Sequence, residues 1–201
     1  MDPRPAATVI VAREGAQGIE VLVLRRSQES RFAPGYAVFP GGSIEPGDAE
    51  LANRWFGDGK EVGRACAVRE LAEETGLALT SNGLHQTDAR EDALSIVSGA
   101  PPPTEDLPQI SRWIAPEFLP VRFDARFFAV AAADGLTPRP DGIEIEHAGW
   151  AHPQDVLDEY RLWESLMWPT FVTLEELARC RSVEDVLSLR TEQVPPPVPG
   201  G

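Results

Sequence analysis

The apolar residues near the start of the chain fall into short β-branched runs, a pattern typical of strands. Residues 6–12 and 20–24 form two such runs, with a glycine-containing turn between them. A third run, residues 36–39, leads directly into Gly41 and Gly42. The pattern therefore predicts two strands joined by a turn, and then a short strand that ends in a glycine turn.

Helical spacing of apolar residues begins in the segment from residue 61 to residue 75. The small or apolar positions that recur there every three or four residues are Ala65, Val68, Leu71, Ala72 and Thr75. Gly76 follows at once, and glycine is the usual residue in the left-handed turn that closes a helix. We therefore predict a helix over residues 61–75 that ends at Gly76.

The rest of the chain alternates between strand-like and helix-like segments. Residues 113–115 and 123–132 predict strands, and the second is apolar almost throughout, as is typical of a central strand. Residues 142–150 set Ile143 and Ile145 against Glu144 and Glu146, which predicts a strand with acids on one face. The helix-like segments are residues 91–97, 153–163, 173–179 and 182–189.

Strands interleaved with helices predict an α/β or α+β layered fold. We assign residues 1–192 to one domain, because 201 residues suit a single core. Residues 193–201 are rich in proline and glycine, so we expect them to be a disordered tail.

Charge and composition narrow the class of protein. The formal net charge of −14 argues against general nucleic-acid binding, which needs a basic surface. No apolar run approaches the ~20 residues that cross a bilayer, and no basic segment precedes an apolar one at the N-terminus, so we expect no membrane span and no secretory signal. Two cysteines do not make a disulfide framework. We therefore expect a reducing, cytoplasmic location.

Three carboxylates stand close together just before Gly76. Glu70, Glu73 and Glu74 are three and four residues apart, so a helix places them on one face. Like charges at this spacing repel, and a hard divalent cation such as Mg²⁺ or Mn²⁺ would compensate them with oxygen ligands. Taken alone, such a cluster is more often an acidic helix face in water, because runs of charge usually just face solvent.

The sequence around the acids removes much of this ambiguity. The back half reads Glu61, seven residues, then Arg69-Glu70-Leu71-x-Glu73-Glu74-x-Gly76-Leu77. The front half reads Gly42, five residues, then Asp48. Together they resemble the signature of the Nudix hydrolases, in which the residues at positions 48 and 61 would be a single acid. The offset is an insertion of 13 residues, which we expect to form a short helix and a loop.

The chain is most similar to the Nudix hydrolase 19-like subgroup, whose members carry insertions at this point. Residues 120–128 and 169–174 also resemble that subgroup. The resemblance implies the Nudix fold, a mixed β-sheet between helices. It also implies Mg²⁺ or Mn²⁺ as cofactor, and homodimers as an assembly found among members.

The resemblance assigns roles to the acidic cluster. It implies that Glu73 and Glu74 bind metal, and that Glu70 is either a metal ligand or the base that deprotonates the attacking water. Arg69 would orient these side chains through charge-assisted hydrogen bonds. The backbone carbonyl of Gly41 or Gly42 would also face a metal.

Other site residues stay open at this point. Asp48 fills the first acidic position by its spacing to Gly42, and Glu61 fills it by its spacing to Arg69; we favour Glu61, whose helical register is fixed. Glu144 and Glu146 are candidates for a further acid from outside the motif, or they belong to an exposed strand face. The candidate phosphate contacts, which are equally explained as surface residues, are Arg26, Arg31 and Arg122.

The function that follows from the resemblance is metal-dependent hydrolysis of a diphosphate bond by attack of water at phosphorus. The substrate would be a nucleoside diphosphate linked to another group, with coenzyme A or an acyl derivative first and ADP-ribose or NADH next. Residues 24–32 keep only a loose match to the further motif of the coenzyme A-directed members. The alternative is a catalytically silent Nudix domain that acts as a nucleotide sensor or interaction module.

Overall fold

The computed structural model describes residues 2–197 and has nine strands and six helices in that range. The strands are β1 (Arg4–Gly15), β2 (Gly18–Arg26), β3 (Ala37–Val38), β4 (Gly41–Ser43), β5 (Leu77–Thr80), β6 (Gly83–Gln86), β7 (Gln109–Ile114), β8 (Phe123–Ala131) and β9 (Ile145–Ala151). The helices are α1 (Asp48–Phe56), α2 (Val62–Thr75), α3 (Ala93–Gly99), α4 (Pro153–Glu159), α5 (Trp168–Leu177) and α6 (Val183–Ser188).

Seven of these strands form one mixed sheet within the described residues. Strand β1 pairs parallel with β8 along its length and antiparallel with β2 only over residues 12–15. Where β1 and β2 separate, β4 pairs with β1 and β3 pairs with β2. Strand β9 covers the other edge of β2, and β7 covers the other edge of β8. The short segments β3 and β4 therefore lie in the opening between two long strands.

Both faces of the sheet are buried, because successive side chains of a strand point to opposite faces. Ala7, Val9 and Val11 of β1 pack in the core that contains α2. Ile10 and Ala12 of the same strand pack in a second core that contains α5 and α6. This is the mixed sheet between helices that the resemblance implies, and the predicted α+β layered architecture is confirmed.

Helix α2 is buried almost all round, which explains its run of small residues. Its predicted inner positions, Ala65, Val68, Leu71, Ala72 and Thr75, are at most 1% exposed. The predicted end is also confirmed: Gly76 has φ of 68° and donates its N–H to the Ala72 carbonyl.

The insertion before α2 is a second helix packed against it. Asp48 begins α1, and Trp55 of α1 is 5% exposed in the α2 core. Gly57 has φ of 71° and turns the chain back toward α2. The expected short helix and loop are therefore present, and Asp48 lies at the start of α1 rather than of α2.

Several predicted boundaries are wrong. The glycine turn after residue 40 contains strand β4, and the segment after Gly76 contains the hairpin of β5 and β6. Strand β9 begins at Ile145, not at Gly142, because the Asp141 carboxylate accepts the backbone N–H groups of residues 143–145 and holds them in a turn. Helix α4 ends at Glu159 instead of 163, and α5 begins at Trp168 instead of 173, where Pro169 suits a first helical turn.

The C-terminal segment predicted as disordered is only partly within the described residues. Gln193 exchanges hydrogen bonds with the backbone of Ile114, and Trp168 donates to the carbonyl of Val194. Residues 198–201 of that prediction lie outside the described residues. No helix in residues 2–197 has the length and apolar character needed to cross a membrane.

Candidate active site

A cavity of about 760 Å³ opens beside the first residues of β4 and the acidic face of α2. Its acidic side contains Glu70, Glu73 and Glu74 of α2. Much of the rest of its wall comes from three loops, at residues 26–36, 114–123 and 163–170, and from residues of β1 and β8, which contribute many apolar side chains. The cavity therefore joins an acidic surface to an apolar one within a single space.

Glu74 is the most deeply buried acid of the cavity, with 6% of the residue exposed. Its carboxylate accepts a hydrogen bond of 3.0 Å from the N–H of Gly41, at the start of β4. Burial and the nearby charge of Glu70 hold the pKa of Glu74 well above its ordinary value, although the Gly41 hydrogen bond acts in the other direction. The ionised form of Glu74 therefore has too little positive charge nearby to offset its burial.

Glu70 lies directly against the glycine turn. A Cβ atom at Gly42 would collide with the Glu70 carboxylate, so a larger residue there would force this flexible side chain to shift. Burial raises the pKa of Glu70 to about 7, since the attraction of Arg69 is partly offset by repulsion from Glu73. Glu70 can therefore hold or release a proton near neutral pH.

Arg69 connects the acids to one another. Its guanidinium lies 2.8 Å from an oxygen of Asp48, 2.9 Å from Glu70 and 2.8 Å from Glu73, and it also donates to the Ser43 carbonyl. Burial alone would lower the pKa of Arg69, but the hydrogen bonds and charges of Asp48 and Glu70 raise it overall. Arg69 is thus a cation in contact with three of the site's carboxylates.

The two candidates for the first acidic position lie in different surroundings. Asp48 has no exposed surface and makes two hydrogen bonds with Arg69, of 2.8 and 3.2 Å. Glu61 forms an ion pair with Arg64 and makes no contact with Arg69. Neither Asp48 nor Glu61 lines the cavity itself, so the contact with Arg69 is what distinguishes them. The geometry therefore joins Asp48, and not the preferred Glu61, to the site, because α1 folds back and brings its first residue to Arg69.

The two candidate acids near the start of β9 lie in different surroundings, because the turn at Asp141 includes Glu144 but not Glu146. Glu144 lines the cavity and lies 3.3 Å from Arg26, with 65% of its side chain exposed. Glu146 is exposed on the strand and lies 3.9 Å from His147. Of these two acids, only Glu144 reaches the cavity.

The three candidate arginines also differ in whether they line the cavity. Arg26 lines the cavity and donates from Nε to the Phe32 carbonyl at 2.9 Å. Arg31 is exposed and is not part of the cavity wall. Arg122 donates to the Ala115 carbonyl and likewise does not line the cavity. The structure places one of the three beside the acids.

Some residues of the cavity wall escape sequence reasoning. Asp141 lines the cavity, and its only sequence signal is the Pro-Asp-Gly turn around it. Phe32 lies in a segment without a periodic pattern, whereas the local pattern places Tyr36 in a strand and Trp163 at the end of a helix; the structure has all three in loops of the cavity wall. Their contribution depends on the tertiary pairing of these loops, which a local pattern does not encode.

The donor groups fit a hard divalent cation, although they do not form a complete coordination shell. Within residues 2–197, no group of three or more His, Cys, Asp and Glu side chains is arranged to hold a metal ion unaided. Mg²⁺, however, is usually bound through one or two carboxylates, with water and substrate phosphates as the other ligands. Glu70 and Glu74, two carboxyls in one cavity with raised pKa values, supply such ligands.

The sheet, the glycine turn and the acidic helix together define the class of protein. Residues 2–171 match the NUDIX domain family, and the chain belongs to that family. A crystal structure of a NUDIX hydrolase from Alicyclobacillus acidocaldarius is 34% identical and superposes with a TM-score of 0.80, covering 98% of this chain and 99% of that one.

Two curated relatives support the same family. Nudix hydrolase 7 of Caenorhabditis elegans is 29% identical over 90% of this chain. Acyl-coenzyme A diphosphatase NUDT19 of Xenopus laevis is 25% identical over 83% of this chain. The alignments span 62% of each relative's length, less than two thirds. Membership of the Nudix family is thus confirmed, and the similarity to the Nudix hydrolase 19-like subgroup is weak.

Proposed function

We propose that this protein is a metal-dependent hydrolase that cleaves the diphosphate bond of a nucleoside diphosphate derivative by attack of water at phosphorus. The observation that carries the proposal is the pairing of Glu70 and Glu74 inside the cavity. Both carboxyls are buried with raised pKa values, and this arrangement is costly unless a cation or proton compensates it. Nudix relatives at 29% and 34% identity, both named as hydrolases, support the same class of reaction.

The roles of the acids follow from their surroundings. Glu73, Glu74 and Glu70 would hold Mg²⁺ or Mn²⁺, with the Gly41 carbonyl as a further oxygen at the glycine turn. When bound, the divalent ion would neutralise phosphoryl oxygens and make a coordinated water more acidic. Glu70 also suits a general base, because a proton acceptor works best when its pKa is near the working pH.

Asp48 and Arg69 would hold the side chains of Glu70 and Glu73 in position. Asp48 accepts from Nε and Nη2 along one edge of the guanidinium, and Nη1 holds Glu70 and Glu73. A buried bidentate pair of this kind is rigid, so the two glutamates keep their positions while substrate binds. We therefore assign Asp48 to the first acidic position of the motif.

The leading candidate substrate is coenzyme A or an acyl-coenzyme A, followed by ADP-ribose and NADH. The Xenopus laevis relative is named an acyl-coenzyme A diphosphatase. A cavity of about 760 Å³ suits a ligand much larger than a diphosphate, since small-molecule pockets usually range from about 300 to 1,000 Å³. Arg26 and Glu144 stand at the same cavity and would contact the phosphates and their counterions.

A substrate panel tests the proposal. The protein is incubated with Mg²⁺ or Mn²⁺ and, separately, coenzyme A, acetyl-coenzyme A, NADH, ADP-ribose and a nucleoside triphosphate, and the products are separated by chromatography. We expect metal-dependent cleavage of at least one diphosphate derivative into two phosphate monoesters. Binding without turnover of any panel member would support the silent sensor domain instead.

A further inference from the structure

Two residues of the described chain have a backbone conformation that is unfavourable for their side chains. Positive φ values occur at seven glycines, where they cost little. In residues 2–197 they also occur at two residues with a Cβ atom, Ala33 at 47° and Trp163 at 67°. A bulky tryptophan in this region is a clear outlier. Both residues line the cavity.

The strain at Trp163 is maintained by hydrogen bonds on both sides of the residue. Its N–H donates to the Leu166 carbonyl at 3.0 Å, and its carbonyl accepts from the Tyr36 hydroxyl at 2.8 Å. Leu166 has no exposed surface, so the turn is anchored in the core. All of these bonds to Trp163 use backbone atoms, and glycine would make them equally well without strain. The backbone therefore does not require tryptophan at this position.

The loops that carry the two strained residues are tied together. The Ala37 N–H donates to the Ser165 carbonyl at 3.0 Å, next to the bond between Tyr36 and Trp163. The first loop is also held to Arg26, whose Nε donates to the Phe32 carbonyl. The indole of Trp163 is therefore held on the cavity wall by the same loop pair that carries Arg26, a candidate phosphate contact.

We propose that Trp163 is a specificity-determining residue, whose indole stacks on a planar ring of the substrate's nucleoside part. Strained residues that surrounding structure holds in place cluster at ligand sites. A half-buried indole at the edge of a cavity offers a rigid aromatic face, and such faces bind nucleobases by stacking. The inference rests on the proposed function only in taking the ligand to be a nucleotide.

The test is an equilibrium binding experiment that needs no turnover. The ligands are adenosine 5′-monophosphate (AMP) and ribose 5-phosphate, which lacks the base, and binding is measured by titration calorimetry. We expect Trp163→Gly to weaken AMP binding about 5- to 150-fold, the range for loss of one stacked base. Binding of ribose 5-phosphate should not change, and Trp163→Phe, which keeps a ring, should retain most of the affinity for AMP.

Thermal unfolding of Trp163→Gly and Trp163→Ala tests the strain itself. Neither variant has the ring, but only alanine keeps a Cβ atom at positive φ. We expect the glycine variant to melt about 2–4 °C higher, the shift that corresponds to relief of moderate strain in a chain of this size. This comparison also shows that any loss of AMP binding in the glycine variant is not caused by unfolding.

Three results would overturn the inference: no AMP binding by the wild-type protein, unchanged AMP binding in Trp163→Gly, or an equal loss for both ligands. Failure of the substrate panel is a separate outcome. If AMP binds and depends on Trp163 while no substrate is cleaved, the proposed hydrolase activity is wrong and the role of Trp163 stands.

Discussion

The raised pKa of Glu70 predicts that the metal-free protein loses stability as the pH rises toward neutrality. In the folded state Glu70 has a pKa of about 7, compared with 4.5 for an exposed glutamate. Between these two pH values the folded protein binds more protons than the unfolded chain. The free energy of unfolding therefore falls as the pH rises through this window, and below about pH 4.5 the contribution of Glu70 is fully present.

The size of the effect follows from the same two values. A tenfold change in proton affinity corresponds to about 1.4 kcal/mol, so the rise from 4.5 to about 7 is worth about 3 kcal/mol for a carboxyl that is 15% exposed. This loss corresponds to a fall in melting temperature of roughly 6–12 °C for a chain of this length. Glu74 shifts in the same direction, so it does not cancel the effect.

The assay is urea unfolding followed by circular dichroism at pH values from 4.5 to 8, without divalent ions and again with Mg²⁺. Glu70→Gln is the matched control, because an amide of the same shape does not titrate. Without metal, the free energy of unfolding of the wild type should fall by about 3 kcal/mol relative to that of Glu70→Gln between pH 4.5 and 8. Mg²⁺ should reduce this fall, because it binds the folded form. Equal pH dependence in wild type and Glu70→Gln would refute the reasoning.

Three further predictions concern the groups around Glu70. Arg69→Gln should destabilise the protein by about 3–5 kcal/mol in chemical denaturation, because Asp48 is left buried without its cation; a loss below 1 kcal/mol would contradict the structural role of the pair. Gly42→Ala should reduce kcat at least tenfold, since its Cβ displaces the Glu70 carboxylate; unchanged steady-state kinetics would show that the position of Glu70 is unimportant. Glu61→Gln should change kcat/KM less than threefold and stability by under about 1 kcal/mol, as expected for a partly exposed ion pair; a large loss of activity would return Glu61 to the site.

Local patterns predict the elements that carry long or periodic signals. Helix α2 and its glycine end are predictable because the apolar spacing and the left-handed turn are both local properties. The interior position of β8 in the sheet is also readable, since residues 127–130 are continuously apolar and buried, as is typical of a strand covered on both faces. The two-residue strand β3 and the three-residue strand β4 exist through pairing with β2 and β1, so their true extent is not a local property.

The candidate site likewise combines residues that local patterns predict with residues that they do not. Glu70, Glu73 and Glu74 are predictable as a group because they share one helix. The choice between Asp48 and Glu61 is not, because it depends on α1 folding back onto α2 and bringing Asp48 to Arg69. Spacing along the chain favours Glu61, whereas the path of the insertion favours Asp48.

The aromatic residues of the cavity wall are the part of the site that the sequence predicts least well. Trp163 and Tyr36 are 127 residues apart and meet through one hydroxyl and one backbone carbonyl. The positive φ of Trp163 is a consequence of that tertiary contact and of the turn closed by Leu166. The local patterns place Tyr36 in a strand and Trp163 in a helix, so they do not bring the two residues together.

The central claim is that the acids of α2 form a metal-dependent phosphohydrolase centre. Its most direct test uses a panel substrate that the wild-type protein cleaves, with the reaction run in ¹⁸O-labelled water. Wild-type protein, Glu74→Gln and the control Glu61→Gln are compared with Mg²⁺ and with a chelator, and the products are analysed by mass spectrometry. We predict that wild type and Glu61→Gln incorporate one ¹⁸O atom into a phosphate monoester product only when metal is present, and that folded Glu74→Gln does not turn over. Turnover by Glu74→Gln at the wild-type rate, or turnover in the presence of chelator, would contradict the claim.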